Sequence, residues 1–245
     1  MVPEVDGAVD PDMPRDQHPH AATDATGSGR ALVVVGAGGL GRETVAWARR
    51  AGFDVVGFLD EDSDRQGDVV GGTPIVGGLG WLDGPGVDQF GGEVGCVVAI
   101  GSTRARRAVT ATLAAAGHAT TTVIDPAVVL GERVDIGRGA ILCPGATVSV
   151  DARIGADTVV SVGCSVHHDD VVGAHVFIGP GVQLSGNVTI GDGAWVGIGA
   201  SVVQGVTIGA GTTVGAGAVV VDDLPANVTA VGVPARITSH HDEPW

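Results

Sequence analysis

From Ile124 onward the chain holds an aliphatic residue at every sixth position: Ile124, Leu130, Ile136, Leu142, Val148, Ile154, Val160, Val166, Val172, Ile178, Leu184, Ile190, Val196, Val202, Ile208 and Val214. Sixteen consecutive units keep that step without a slip. A helix of about 3.6 residues per turn would scatter these side chains around its circumference. A six-residue step instead suits a β-solenoid whose coil has flat faces, one hexapeptide to a face, with the aliphatics stacked down the interior. The fifth residue of the unit is small or aliphatic almost throughout: Val128, Val134, Ala140, Ala146, Ala152, Thr158 and Cys164, then Val176 onward. The second is glycine in nine units, at 131, 137, 155, 173, 179, 191, 197, 209 and 215. We read those glycines as positions where a Cβ would hinder the corner backbone.

Ahead of the repeat the pattern is different. Residues 1–30 carry six acids, two arginines and almost no bulky apolar side chains, which predicts a flexible tail. "ALVVVGAGGLGRETVAWARRAG" then reads as a strand, a glycine turn and a helix; "DVVGFLDED" is a second strand ending in acids. "CVVAIGS" is a third, leading into the helical "TRARRAVTATLAAAG". Alternating strand and helix over 31–122 predicts a small parallel α/β domain, with the solenoid over 123–237 and a short tail over 238–245.

Composition narrows the function. A net charge of −15 opposes a polyanionic partner, and aromatics at 3% supply no base-stacking platform, so nucleic acid is not expected as a ligand. All 13 basic residues are arginine, which removes lysine Schiff-base chemistry and a P-loop lysine. Cys96, Cys143 and Cys164 are odd in number and form no C-x-x-C pair, so neither a disulfide framework nor a zinc knuckle is expected. No apolar run is long enough to span a bilayer and no leader pattern is visible, so the expected setting is cytoplasmic, with no membrane partner.

The repeat over 124–237 resembles the hexapeptide-repeat acyltransferases. That resemblance implies a left-handed parallel β-helix with three hexapeptides per coil, a homotrimer, and acetyl-CoA lying in a groove between neighbouring solenoids. With three units to a coil, residues eighteen apart stack on one face. His168 is the third residue of its unit, not aimed at the core, and Gly186 stands one coil above it. A neutral base beside an unshielded backbone N–H is the pair acyl transfer needs: one takes the acceptor's proton, the other holds the developing oxyanion. Asp169 could fix the imidazole tautomer, although neighbours in a strand point opposite ways unless a turn reorients them.

"VHHDDVVG", "VVGAGGLGRE", "VVGFLDED", "VAIGSTRARR" and "GAGAVVVDDLPANVTAVGVPAR" are similar, in order, to signatures of a sugar-acetylating subfamily that joins a Rossmann-like domain to the solenoid. It includes UDP-amino-sugar N-acetyltransferases and sialic-acid O-acetyltransferases. The resemblance implies that His168 is the general base, Asp169 its partner and Gly186 the donor to the thioester carbonyl. Phe177, Ile198, Ala216 and Gly217 would line the CoA groove. Gly38, Gly39 and Leu40 would lie at the phosphates of a sugar nucleotide, Asp60 and Glu61 at its uracil and ribose end, with Gly101 and Ser161 also on the acceptor side. The chain departs from the family pattern at Leu40 and Phe177, commonly histidine, at Thr103 and Ser161, commonly asparagine, and at Asp170, commonly cysteine.

Other readings compete. The glycine turn with Asp60 or Glu61 downstream could serve a nicotinamide dinucleotide, but the domain lacks the second half of such a fold. A zinc hydratase on the same solenoid would need three histidines, and the positions eighteen residues after His168 and His175, Gly186 and Gly193, are both glycine, so no metal is expected. A non-catalytic assembly subunit is the third alternative. His167 and His175 read as exposed corner residues, Cys164 as core, and Arg104, Arg106 and Arg107 as a solvated helix face. For Asp170, at a small inward position, the sequence offers only a distorted corner or a pairing with His167 or His175.

Overall fold

The computed structural model describes residues 29–91 and 93–241. The segment read as a flexible tail, with His18 and His20, lies outside them apart from Gly29 and Arg30.

The first unit comprises β1 (Ala31–Val35), α1 (Gly39–Arg50), β2 (Asp54–Leu59), β3 (Val69–Val70), β4 (Thr73–Gly77), β5 (Gly95–Val98) and α2 (Thr103–Ala115). The sheet order is β3-β4-β2-β1-β5, parallel except for β3. Leu32 to Val35 are buried without alternation, as a strand covered on both faces requires. From β1 the chain turns to β2 on one side and to β5 on the other, which opens a crevice beyond their carboxyl ends. There Gly36 takes φ +100°, and a Cβ on it would lie 3.1 Å from Ile100 of the loop after β5. A Cβ on Gly41 would run into the Gly36 carbonyl, so glycine is what lets α1 seat against its own turn.

From Val123–Ile124 to Val219–Val220 the chain forms two-residue strands, each spanning the sixth residue of one unit and the first of the next. They stack eighteen residues apart, as Thr147 on Ser165 and Val159 on Phe177, into three parallel sheets. The first sheet holds Ser165–Val166, the second Val171–Val172 and the third Phe177–Ile178. The strands Val228–Val231 and Arg236–His240 close the third sheet, running into the segment read as a C-terminal tail. First-position aliphatics from Ile136 to Val220 are at most 3% exposed, while Leu130, in the first coil, is 40% exposed. The chain is thus a Rossmann-like α/β unit followed by a left-handed parallel β-helix.

One detail of the repeat differs from the sequence reading. Left-handed backbone occurs at the fourth position of the unit, at Arg133, Asp151, Asp157, Asp169, His175 and Asn187 and at glycines such as 163, 181 and 217. The second-position glycines have ordinary φ; a Cβ there would strike the coil above, as Gly155 would strike Gly173. They are needed for close stacking rather than for a special turn conformation.

The α/β unit packs on the third sheet, where Ile141, Val159 and Phe177 join Leu32, Val34 and Phe58 in one cluster. Arg106 fastens the two units at the adjoining corner. Its Nε donates to the Asp157 carbonyl at 2.7 Å, Nη1 to Ile100 O at 2.6 Å, and Nη2 to His175 O at 2.6 Å and Val176 O at 3.0 Å. It is 0% exposed, so it is no part of a solvated face. His175 is half-buried beside it instead of standing free, and burial together with the Arg106 charge lowers its imidazole pKa.

Candidate functional site

His168 and Asp169 form the corner between the first and second sheets. Because Asp169 has φ +62°, the turn brings both side chains to the same side, which a strand would not. His168 Nδ1 and Asp169 Oδ2 are 2.9 Å apart. An ionised carboxylate only accepts, so the proton sits on Nδ1 and the Nε2 lone pair is left free. That ring edge lies against Gly186: a Cβ built there would collide with Cε1 and Nε2. The Gly186 N–H donates to no carbonyl among the described residues. One coil register therefore joins a base with its lone pair outward to an unshielded amide.

Gly186→Ala tests this contact directly. Gly186 lies outside the left-handed region, so alanine adds no backbone strain there. Its methyl would displace the imidazole, and a misplacement near 1 Å costs about 100-fold in rate. The expected result is such a fall in kcat with an unchanged melting temperature; wild-type kcat would mean that the ring is not needed where it lies.

Asp170 is resolved by the structure. It is 0% exposed, Oδ2 accepts from His167 N–H at 2.7 Å and Oδ1 from Val188 N–H at 2.8 Å. It pairs with backbone, not with the His167 or His175 rings. Burial pushes its carboxyl up to about 6, so it is ionised at neutral pH.

The remaining candidates fall into three groups. Ile198, Ala216 and Gly217 share the corner between the third and first sheets, where Val162 and Ile198 are 40% and 57% exposed and form an apolar edge. Ser161 lies close to that corner but is buried. Phe177 is on the third sheet, stacked on Trp195 with ring centroids 5.9 Å apart, and not beside His168. Gly38, Gly39, Leu40 and Gly101 gather at the crevice of the α/β unit, and a Cβ on any of those three glycines would meet open space. Asp60 lies there too, taking Arg65 Nη1 at 2.7 Å, while Glu61 accepts from Leu79 N–H at 2.6 Å. Among the described residues, no three His, Cys, Asp or Glu side chains gather as a metal site would need, and no helix is long and apolar enough to cross a membrane.

Within one chain these groups stand apart. The coil runs from the first sheet through the His168 corner to the second, then through the His175 corner to the third. The α/β unit covers the third sheet, so His168 lies on the corner that does not border it.

Residues 31–113 match the PglD N-terminal domain family, and residues 187–222 match the bacterial transferase hexapeptide family. No curated protein sequence matches the chain. Among solved structures, PerB from Caulobacter crescentus, in complex with CoA and GDP-perosamine, is 36% identical with a TM-score of 0.78, covering 85% of this chain and 97% of that one. The acetyltransferase domain of PglB from Neisseria gonorrhoeae is 33% identical with a TM-score of 0.77, covering 85% of this chain and 100% of that one. WeeI from Acinetobacter baumannii, at 29% identity, has a TM-score of 0.75 over 85% of this chain and 100% of that one. With such likeness running through both units, the chain belongs to the hexapeptide-repeat sugar acetyltransferases that carry a PglD-type N-terminal domain.

Proposed function

We propose that this protein moves the acetyl group of acetyl-CoA onto the amine of a nucleotide-linked amino sugar, with His168 as general base. Acetyl-CoA-dependent transfer to a sugar is the activity of the family. A similar Caulobacter crescentus structure is described as a GDP-perosamine N-acetyltransferase, which supports an amine acceptor over a hydroxyl, and the PglB domain has been solved with acetyl coenzyme A, which supports the donor. The observation that carries the reading is the His168 ring set against Gly186 with Nδ1 engaged by Asp169.

The amine attacks the thioester carbonyl directly. As the C–N bond forms, His168 Nε2 takes an amine proton, Asp169 holds the resulting imidazolium, and the Gly186 N–H supports the oxyanion. Collapse expels the CoA thiolate, which can recover the proton from His168. The α/β unit, proposed over 31–122, offers the sugar nucleotide its glycine crevice at Gly38, Gly39, Leu40 and Gly101. Asp60, Glu61 and Ser161 complete our proposed acceptor set. Ile198, Ala216 and Gly217 would guide CoA, with Phe177 reaching it from a neighbouring copy.

The same placement supports assembly into a homotrimer. A crevice over the third sheet and a base on the opposite corner meet only if a second copy brings its own crevice to that corner. Use of CoA and three buried free thiols suit a cytoplasmic setting. The test is to screen GDP- and UDP-linked amino sugars for CoA release. The expected result is one molecule of CoA per molecule of sugar gaining an acetyl group by mass spectrometry. If no nucleotide-linked amine raises CoA release above hydrolysis, the reading fails.

A further inference from the structure

Beside the proposed base, one rung of the solenoid is missing. At the ends of the first sheet's strands, the second residue of a unit donates its N–H to the aliphatic carbonyl of the next coil. Ser149 bonds Val166 at 2.9 Å, Ser185 bonds Val202 at 3.0 Å and Val203 bonds Val220 at 3.0 Å. His167 breaks the series, because its N–H donates to Asp170 Oδ2 instead. Ser165–Val166 keeps only the Ser165 to Gln183 pairing with the coil above, whereas the pairings on either side keep both residues.

The same carboxylate reaches the upper turn. Elsewhere the fifth-position N–H closes its own corner loosely, as Val182 to Gly179 O at 3.3 Å and Ala194 to Gly191 O at 3.3 Å. Val188 gives its N–H to Asp170 Oδ1 at 2.8 Å. Thr158 shows that occupying this second bond does not require losing the rung: it accepts from Val176 N–H at 3.0 Å while Gly155 keeps its bond to Val172 at 2.7 Å. The displaced rung belongs to the carboxylate, whose charge-assisted bonds outcompete the ordinary ones.

We infer that Asp170 is a positioning residue, a buried strut tying the His168 turn to the Gly186 turn at the separation acetyl transfer uses. The inference rests on His168 being the base. A buried carboxylate stacked between Ala152 and Val188 is expensive in desolvation, and replacing buried charge by apolar groups is often neutral or stabilising. A chain that keeps it beside its site is trading regularity for local geometry.

Asp170→Ala separates this role from a structural one. The His167 rung to Leu184 can re-form, so the melting temperature should hold or rise, while kcat falls about 10- to 100-fold with KM for acetyl-CoA nearly constant. Amide exchange gives a readout independent of turnover: the Val188 N–H should exchange faster than in the wild type. Asp170→Asn, which keeps the volume and can accept only one of the two N–H groups, should fall between, and it carries the test if the alanine variant does not fold. Wild-type kcat in a folded variant, or a loss of activity that only tracks loss of folded protein, would overturn the inference. Failure of the underlying reading looks different: His168→Ala would keep its turnover, or the wild type would release no CoA with any amino sugar.

Discussion

His168→Ala should lose acetyl transfer by about 100- to 10,000-fold in kcat while the protein remains folded and assembled. The size follows from the role. The acceptor amine must shed a proton as it becomes an amide nitrogen, and in the proposed site the Nε2 lone pair is the base set against the oxyanion donor. The stability side follows from exposure: the ring is 49% exposed, and its one hydrogen-bond partner among the described side chains is Asp169, itself 59% exposed. Exposed positions of this kind typically change stability by about 0.5 kcal/mol or less. KM for acetyl-CoA should move little, since the apolar edge at Ile198 and Ala216 lies on another corner. Single-turnover kinetics with a nucleotide-linked amino sugar and gel filtration of the same sample check both halves. Turnover equal to the wild type would remove His168 from the chemistry.

The solenoid was legible in the sequence because its rule is local and repeated. Each aliphatic at a sixth position needs only its own unit to define where it points, and Ile136 through Val214 all went to the core. The stacking of Gly186 on His168 followed from the coil length alone. What the sequence hid depends on backbone conformation or on partners far along the chain. The left-handed fourth position is occupied by Arg, Asp, His and Asn as well as Gly, so no single residue type marks it. Without that φ at Asp169, its approach to His168 could only be posed as a question. Asp170 looked like an error in the repeat because its partners are main-chain groups at 167 and 188, which a side-chain pattern does not record. The one signal available was the mismatch itself: a carboxylate at an inward position must find donors, and the nearest ones are backbone.

Arg106 was misread for a related reason, and replacing it should produce a large loss of stability. Flanked by Arg104 and Arg107, it looked like one of three solvated cations, yet it is wholly buried and its acceptors lie as far as seventy residues away. Burial lowers its pKa to about 10, which leaves it charged at neutral pH. Burial also raises the pKa of the Asp157 carboxyl, and the Arg106 charge opposes that rise. Arg106→Met keeps the length but strips the Asp157, Ile100 and His175 carbonyls of the guanidinium donor, leaves Val176 O with only the Val159 N–H, and removes the positive charge near the Asp157 carboxyl. Breaking a buried charged arrangement of this kind costs about 3–5 kcal/mol, visible as a lower first unfolding transition in urea. Three of those carbonyls, Asp157, His175 and Val176, belong to the solenoid, and the fourth, Ile100, belongs to the loop that borders the proposed acceptor crevice. Activity should therefore respond as a raised KM for the sugar nucleotide with KM for acetyl-CoA unchanged. Arg106→Lys should recover only part of the loss, because a single ammonium cannot span carbonyls that a planar fork reaches from three nitrogens. An unfolding curve that superimposes on the wild type for the methionine variant would mean that the apolar contact and the Arg50–Asp125 ion pair hold the two units together without Arg106.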